Sequence, residues 1–264
     1  PLPPRPRGNY LAKPAVKILP DRPEDKDERM HLEYLTPIQT GSKESGLGVS
    51  AIQVDQLQHE LRRMMLMAQE NVDASFRSVL DRNEDELSQV EETEEYIDFL
   101  NREISLHISH VIAYETNQQA SAVVSSFLTI SGNIERIGDH AADIAEIIPH
   151  LVTVRKEGDP AVSQAIAMGK KAHQMILDAL AALMAEDELA ARKVIAADDA
   201  VDYDFNAIKH QLAQEIAEDP GKVDAALDLL MVIKYLERIG DHAVNVAEWV
   251  QFARTGRYKD ESMF

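Results

Sequence analysis

From about Ser50 onward, apolar side chains return at steps of three and four, and Ile52, Leu57, Leu61, Met64, Met65 and Ala68 form the first such stripe. That period lines one face of an α-helix, unlike the two-residue alternation of a half-buried strand. Asn83 followed by Glu86 reads as a capping pair for a second helix reaching about Tyr114. A third helix is expected from about Thr116 to Ile148, ending at Pro149, whose ring and missing N–H oppose continuation. Thr116 to Ile134 is the longest uncharged stretch, but its Asn, Gln and six Ser or Thr residues mark a buried helix rather than a membrane span. Pro149, Gly158 and Pro160 make residues 149–160 the interior linker. Asp159–Pro160 sets an N-cap before a proline at the first helical position, and Asp219–Pro220 repeats the signal. Three further helices are therefore expected at about 160–185, 187–218 and 220–253. The chain reads as all-α, six helices in two groups of three, spanning residues 49–150 and 155–254.

The two groups are copies. Glu135-Arg136-Ile137-Gly138-Asp139-His140-Ala141 recurs without change as Glu237-Arg238-Ile239-Gly240-Asp241-His242-Ala243, 102 positions later. Ile144-Ala145-Glu146 then answers to Val246-Ala247-Glu248, and Glu94-Glu95-Tyr96-Ile97-Asp98 is a weaker echo of Asp198-Asp199-Ala200-Val201-Asp202. Seven consecutive identities within one short chain mean internal duplication.

Outside the copies the pattern fails. Residues 1–48 carry eight prolines and little periodicity, and 255–264 form a C-terminal tail. Arg5, Arg7, Lys13 and Lys17 precede any acid, before Asp21, Glu24, Asp25, Asp27 and Glu28 reverse the sign. A basic run of this kind, in a chain that starts at Pro1 without Met, fits an extended linker leaving a membrane on its cytoplasmic side, in a piece of a longer protein. An ordinary polar tail accounts for the same residues.

Charge and composition narrow the classes. Acids outnumber bases 46 to 27, for a net charge of −19, so the concentrated basic surface of a nucleic-acid binder is missing. No cysteine is present, which removes disulfides and thiolate metal sites. No nucleophile–base arrangement, His-Glu-x-x-His or phosphate-cradling glycine loop occurs, so no enzyme is expected. The Glu-x-x-His spacing of di-metal bundle enzymes occurs only at Glu28/His31, outside the helical groups.

The acids themselves carry the remaining chemistry. Each copy has two helices bearing an acid, three residues and Asp: Glu94/Asp98 with Glu135/Asp139, and Asp198/Asp202 with Glu237/Asp241. The spacing alone is weak, since roughly eight such pairs arise by chance from this composition. Hairpin geometry adds to it. The centres of Asp198/Asp202 and Glu237/Asp241 are equidistant from the Asp219–Pro220 turn, and those of Glu94/Asp98 and Glu135/Asp139 from the break after Glu115. Each hairpin should therefore bring four carboxylates to one level. Such a group beside a core needs a counter-charge. Oxygen donors suit Mg, Ca, Mn or Fe, and imidazole from His140 or His242 would widen the choice to Zn or Ni, although a turn of about 100° from the motif Asp favours their capping the flank or facing solvent. The competing reading is intrahelical pairing, Arg136 with Asp139 and Arg238 with Asp241. Gly138 and Gly240, each costing about 1 kcal/mol in mid-helix, point to close approach by another helix or a ligand. His107/His110 reads as a structural pair.

Glu-Arg-Ile-Gly-Asp-His-Ala, followed by Asp143 or Asn245, an aliphatic residue, Ala and Glu, resembles the signature of the PhoU family over about residues 50–253. That resemblance implies two tandem antiparallel three-helix bundles, regulation of phosphate uptake and clusters of iron or other metals. It implies Glu94, Asp98, Glu135, Asp139, Asp198, Asp202, Glu237 and Asp241 as metal ligands, with Asp143, Asn245, His140 and His242 as additional candidates. Ile18-Leu19-Pro20-Asp21-Arg22-Pro23 and His31-Leu32-Glu33-Tyr34-Leu35 resemble the segment that joins the membrane portion of bacterial sodium/phosphate cotransporter-family proteins to a C-terminal PhoU-like domain. The resulting expectation is a metal-binding regulatory domain of a sodium-dependent phosphate transporter, soluble itself and held at the cytoplasmic face of the inner membrane. Its partner would be the membrane-embedded portion of the same polypeptide or a phosphate transporter complex, with homodimerisation allowed. The rivals are a free-standing regulator of a phosphate ABC transporter and its sensor kinase, and a metal-free helical interaction scaffold.

Overall fold

The computed structural model describes residues 59–72, 74, 87–114, 118–156, 158–255, 257–258 and 261–262. The expected linker over 1–48, with its basic run and Glu28/His31, lies outside the described residues, as does the Asn83/Glu86 capping pair. Residues 59–72 form helix α1, whose Leu61, Met64, Met65, Ala68 and Val72 make one buried face. Helix α2 is Leu87–Tyr114 and α3 is Gln118–Val154. Asn71, buried on α1, donates from Nδ2 to the Val90 carbonyl of α2 at 3.1 Å. In the second copy, α4 is Pro160–Ala185, α5 is Glu188–Glu218, and a 3-10 turn at Pro220–Lys222 leads into α6, Val223–Thr255.

Cap chemistry sets the boundaries in this copy. Asp159 accepts from the N–H groups of Ala161 and Val162, with Pro160 behind it, as its sequence position suggests. Asp187 accepts from Leu189 and Ala190 and starts α5. Asp219 caps the 3-10 turn rather than α6 directly, so the last helix begins three residues later than the Asp–Pro signal places it. Two expectations need correction. Pro149 does not end α3, which runs on to Val154. A proline removes one N–H and one hydrogen bond near a helix end, while Ile148 and Leu151 on either side are buried and hold the last turn in place. The tail also carries a two-residue antiparallel hairpin, β1 Arg257–Tyr258 with β2 Glu261–Ser262.

One continuous core runs from Leu61 to Val250, and residues 47–264 gather into one compact unit. Within it α2 packs on α3, while α4, α5 and α6 pack on one another. The copies meet where α3 lies antiparallel on α6. His242 donates from Nδ1 to Asn133 Oδ1 at 2.9 Å, and the matching pair, His140 and Tyr235, stacks with ring centroids 5.4 Å apart. Because Asn133 and His140 correspond to Tyr235 and His242 in the repeat, each face presents the matching positions to the other, with Asn in one copy where the other has Tyr. The duplication thus forms a pseudo-twofold interface inside one chain, approximating an isologous one.

Candidate functional site

Gly138 and Gly240 lie at the level of the acids. A Cβ on Gly138 would stand 3.1 Å from Ile97 Cδ1, and one on Gly240 3.6 Å from Val201 Cγ1, the corresponding residue of the other copy. The missing side chain at Gly138 lets α3 close on α2, whereas a Cβ at Gly240 would meet only ordinary contacts; in both copies the acids flanking Ile97 and Val201 come beside those flanking the glycines.

In the first copy one carboxylate oxygen from each of Glu94, Asp98 and Asp139 lies within 4.8 Å of the others. Burial, then Asp98, Asp139, Glu95 and Glu135, raise the Glu94 pKa. Glu135 and Asp139 are likewise raised, chiefly by burial, with Arg136 pulling the other way. The competing ion-pair reading is also realised: Arg136 reaches Asp139 at 2.9 Å and Glu135 at 3.5 Å, and Arg102 approaches Asp98 at 3.7 Å. Arg136 is 58% exposed, and an exposed guanidinium is too well screened to balance the group.

In the second copy, burial and then Asp202, Asp241, Asp199 and Glu237 push Asp198 up to about 6. Its Oδ1 is buried without a hydrogen-bond partner, 3.4 Å from where a Gly240 Cβ would sit. Asp241 is raised by burial and Glu237, against Arg238 and Lys234. Arg238 reaches Asp241 at 3.2 Å, and Lys234 pairs with Glu237. Among the described residues, Glu94, Asp98 and Asp139 form the group of three whose oxygens converge, and the second set does not match it. Lys234 is the residue that sequence reasoning missed. Its signal was present, a lysine three positions before Glu237 on the same helix face.

The additional candidates lie elsewhere. The rings of His140 and His242 are 5.5 Å apart in the α3–α6 contact, and His140 Nδ1 reaches Asp143 Oδ2 at 3.2 Å. Burial, then the His140 charge, lower His242 to about 4, so it is neutral there. Asn245 is half-buried on α6. Neither His140, His242 nor Asp143 joins a converging group of three among the described residues. The histidines hold the two copies together instead of completing the acid clusters, because each is turned about 100° from the preceding aspartate.

The fit of a cation to the acids rests on charge. Burial and mutual repulsion penalise these carboxylates, and Asp198 Oδ1 is buried with no hydrogen-bond partner among the described residues. Oxygen donors without a convergent imidazole match a hard cation.

The molecule is thus an internally duplicated all-α module with a carboxylate cluster in the second helix hairpin of each copy. The chain belongs to the PhoU family: the PhoU domain matches residues 61–148 and again 166–250. A "phosphate-specific transport system accessory protein PhoU homolog" of Clostridium acetobutylicum is 32% identical over 209 residues, covering 78% of this chain and 94% of that protein. The protein of the same name from Caulobacter vibrioides is 33% identical over 204 residues, covering 75% of this chain and 86% of its own length. The crystal structure of PhoU from Pseudomonas aeruginosa superposes with a TM-score of 0.74 at 24% identity, covering 78% of this chain and 99% of that one. The phosphate transport system regulatory protein PhoU of Streptococcus pneumoniae gives 0.71 at 20%, covering 80% and 99%. These two establish the fold. The relatives are accessory proteins and not cotransporter domains, and the family match begins after the stretch over 18–35 on which the cotransporter resemblance rests.

Proposed function

We propose that this chain is a PhoU-type accessory regulator of a phosphate transport system, that it catalyses no reaction, and that its acid clusters bind hard cations. The observation that carries the ion reading is the convergence of Glu94, Asp98 and Asp139 oxygens within 4.8 Å. Those three would hold an ion in the first copy with Glu135 at its edge, and Asp198, Asp202, Glu237 and Asp241 would do so in the second. Among the ions considered, Fe, Mn, Mg and Ca fit the all-oxygen donor set, and Zn and Ni lose ground with the histidines engaged elsewhere. A bound cation would supply charge balance between α2 and α3 and between α5 and α6. Ion occupancy then stiffens each hairpin and biases how the module docks on its transporter at the cytoplasmic face of the membrane.

The partner is a separate transport system, following the accessory-protein relatives. The second reading, attachment to a membrane portion of the same polypeptide, rests on residues 18–35 and the basic run before them. The reading frame upstream of Pro1 separates the two, since several apolar spans of about 20 residues there would establish attachment. No helix among the described residues is long and apolar enough to cross a membrane.

Elemental analysis of protein purified without chelator tests the ion reading. Wild type should carry Fe or Mn, and Glu94→Gln with Asp98→Asn should lose the first-cluster share while keeping its helical circular dichroism. Metal-free wild type that also fails to take up added Mn(II) or Fe(II) would leave only the scaffold reading. Phosphate regulation has its own readout: cells lacking the chain should take up labelled phosphate differently from wild type. Unchanged uptake at both low and high phosphate would remove that part of the proposal.

A further inference from the structure

The two clusters sit in duplicated frames, yet they are neutralised differently. In the second copy Lys234 pairs with Glu237, and the ion pair is half-buried, with 34% of the lysine and 16% of the glutamate side chain exposed. The ammonium also stands 5.1 Å over the Phe205 ring of α5, which holds it above the hairpin. Its charge acts on Asp241 as well as Glu237. The position matching Lys234 in the first copy is Gly132, where a Cβ would meet nothing within 4 Å. The first cluster therefore has open space where the second has a cation. Glu237 and Asp241 each hold a protein cation, from Lys234 and Arg238. In the first copy Glu135 and Asp139 share Arg136, and Arg102, 66% exposed and well screened, only approaches Asp98 at 3.7 Å. Geometry agrees with charge, because Glu94, Asp98 and Asp139 converge.

We infer that Lys234 is a built-in counter-cation that makes the second cluster the weaker ion site, so that the two halves fill in order, first copy before second. The inference rests on the ion-binding reading above. A cation entering the second cluster must displace the ammonium from Glu237 or share the carboxylate with it. Either way it meets like-charge repulsion that is absent beside Gly132. Two sites of unequal strength let one chain respond over two ranges of ion concentration.

Manganese(II) titrated calorimetrically into the chelator-stripped chain tests the inference. Wild type should show two classes of site, the tighter lost in Glu94→Gln and the weaker in Asp198→Asn. Lys234→Met keeps an unbranched stem beside Phe205 and removes the charge. It should tighten the weaker class on the order of tenfold, the scale of substitutions next to metal ligands, and leave the tighter class where it was. Lys234→Arg should behave as wild type. The mirror change, Gly132→Lys, enters open space and should weaken the tighter class by a similar factor. Manganese binding with both dissociation constants unmoved in Lys234→Met would overturn the role of Lys234 while leaving the ion sites standing. Absence of binding in wild type and in Lys234→Met alike would overturn the ion reading and this inference together.

Discussion

Asp198 shows what a single residue gives up to sit in this hairpin. An acid held at about 6 against an ordinary 3.8 keeps its proton in the folded state over a range where the unfolded chain has released it. Its contribution to stability is therefore complete below pH 3.8 and disappears as pH rises through 6. His242, lowered to about 4, works in the opposite sense, since its neutral form is the one the fold accepts and stability falls as pH drops from 6.5 toward 4. The wild-type pH profile mixes the two, so the informative quantity is the difference between wild type and Asp198→Asn. In metal-free protein the amide, which mimics the protonated acid, should be more stable than wild type at pH 7.5 by no more than about 2 kcal/mol after solvent screening. At pH 4.5 the advantage should shrink to a fraction of that. Thermal melts in chelator at the two pH values provide the check, and equal differences at both would show that Asp198 ionises normally.

At the scale of elements, the duplicated glycine acts differently in the two hairpins. A Cβ at Gly240 would find ordinary contacts, 3.4 Å to Asp198 Oδ1, 3.6 Å to Val201 and 3.7 Å to Met175. At Gly138 it would press at 3.1 Å on Ile97, which is 1% exposed and has little room to move. Gly240→Ala should therefore keep most of the helix-propensity gain, about 0.5–1 kcal/mol, while Gly138→Ala should gain nothing and Gly138→Val should lose stability. Urea midpoints for the three variants decide the point, and a Gly138→Ala gain equal to that of Gly240→Ala would show that the two approaches do not differ. The sequence carried much of this level. The duplicated glycine pointed to close approach, which holds at Gly138 and not at Gly240, and equal distances from the turns matched the acid pairs across each hairpin. Pro149 misled because a proline signals a helix end locally, whereas buried neighbours decide whether the last turn survives. His140 and His242 were legible as a repeated pair but not as partners, because the contact of α3 with α6 joins positions about a hundred residues apart.

For the whole molecule the question is what joins the copies beyond apolar contact, and Arg155 is a polar link with several partners. It follows α3 directly, is 7% exposed, and reaches Asp159 at 3.0 Å and Glu215 at 2.8 Å. Its Nε and Nη2 donate to the Ala225 carbonyl at 3.4 Å. One guanidinium thereby joins the end of α3 to the N-cap of α4, the last turn of α5 and the first turn of α6. No local pattern announces this, since Glu215 and Ala225 lie 60 and 70 positions away. Removing the cation leaves two acids partly buried, and breaking a pair of this kind costs about 3 kcal/mol, more than losing one hydrogen bond. Arg155→Met, which preserves most of the apolar stem, should lower the free energy of urea unfolding by about that amount. Glu215→Gln should cost less, because Asp159 still balances the arginine. The two copies share one core, so both variants should still unfold in a single transition. A second transition in Arg155→Met would mean that this clamp, and not the matched patches of α3 and α6, makes the copies fold as one body.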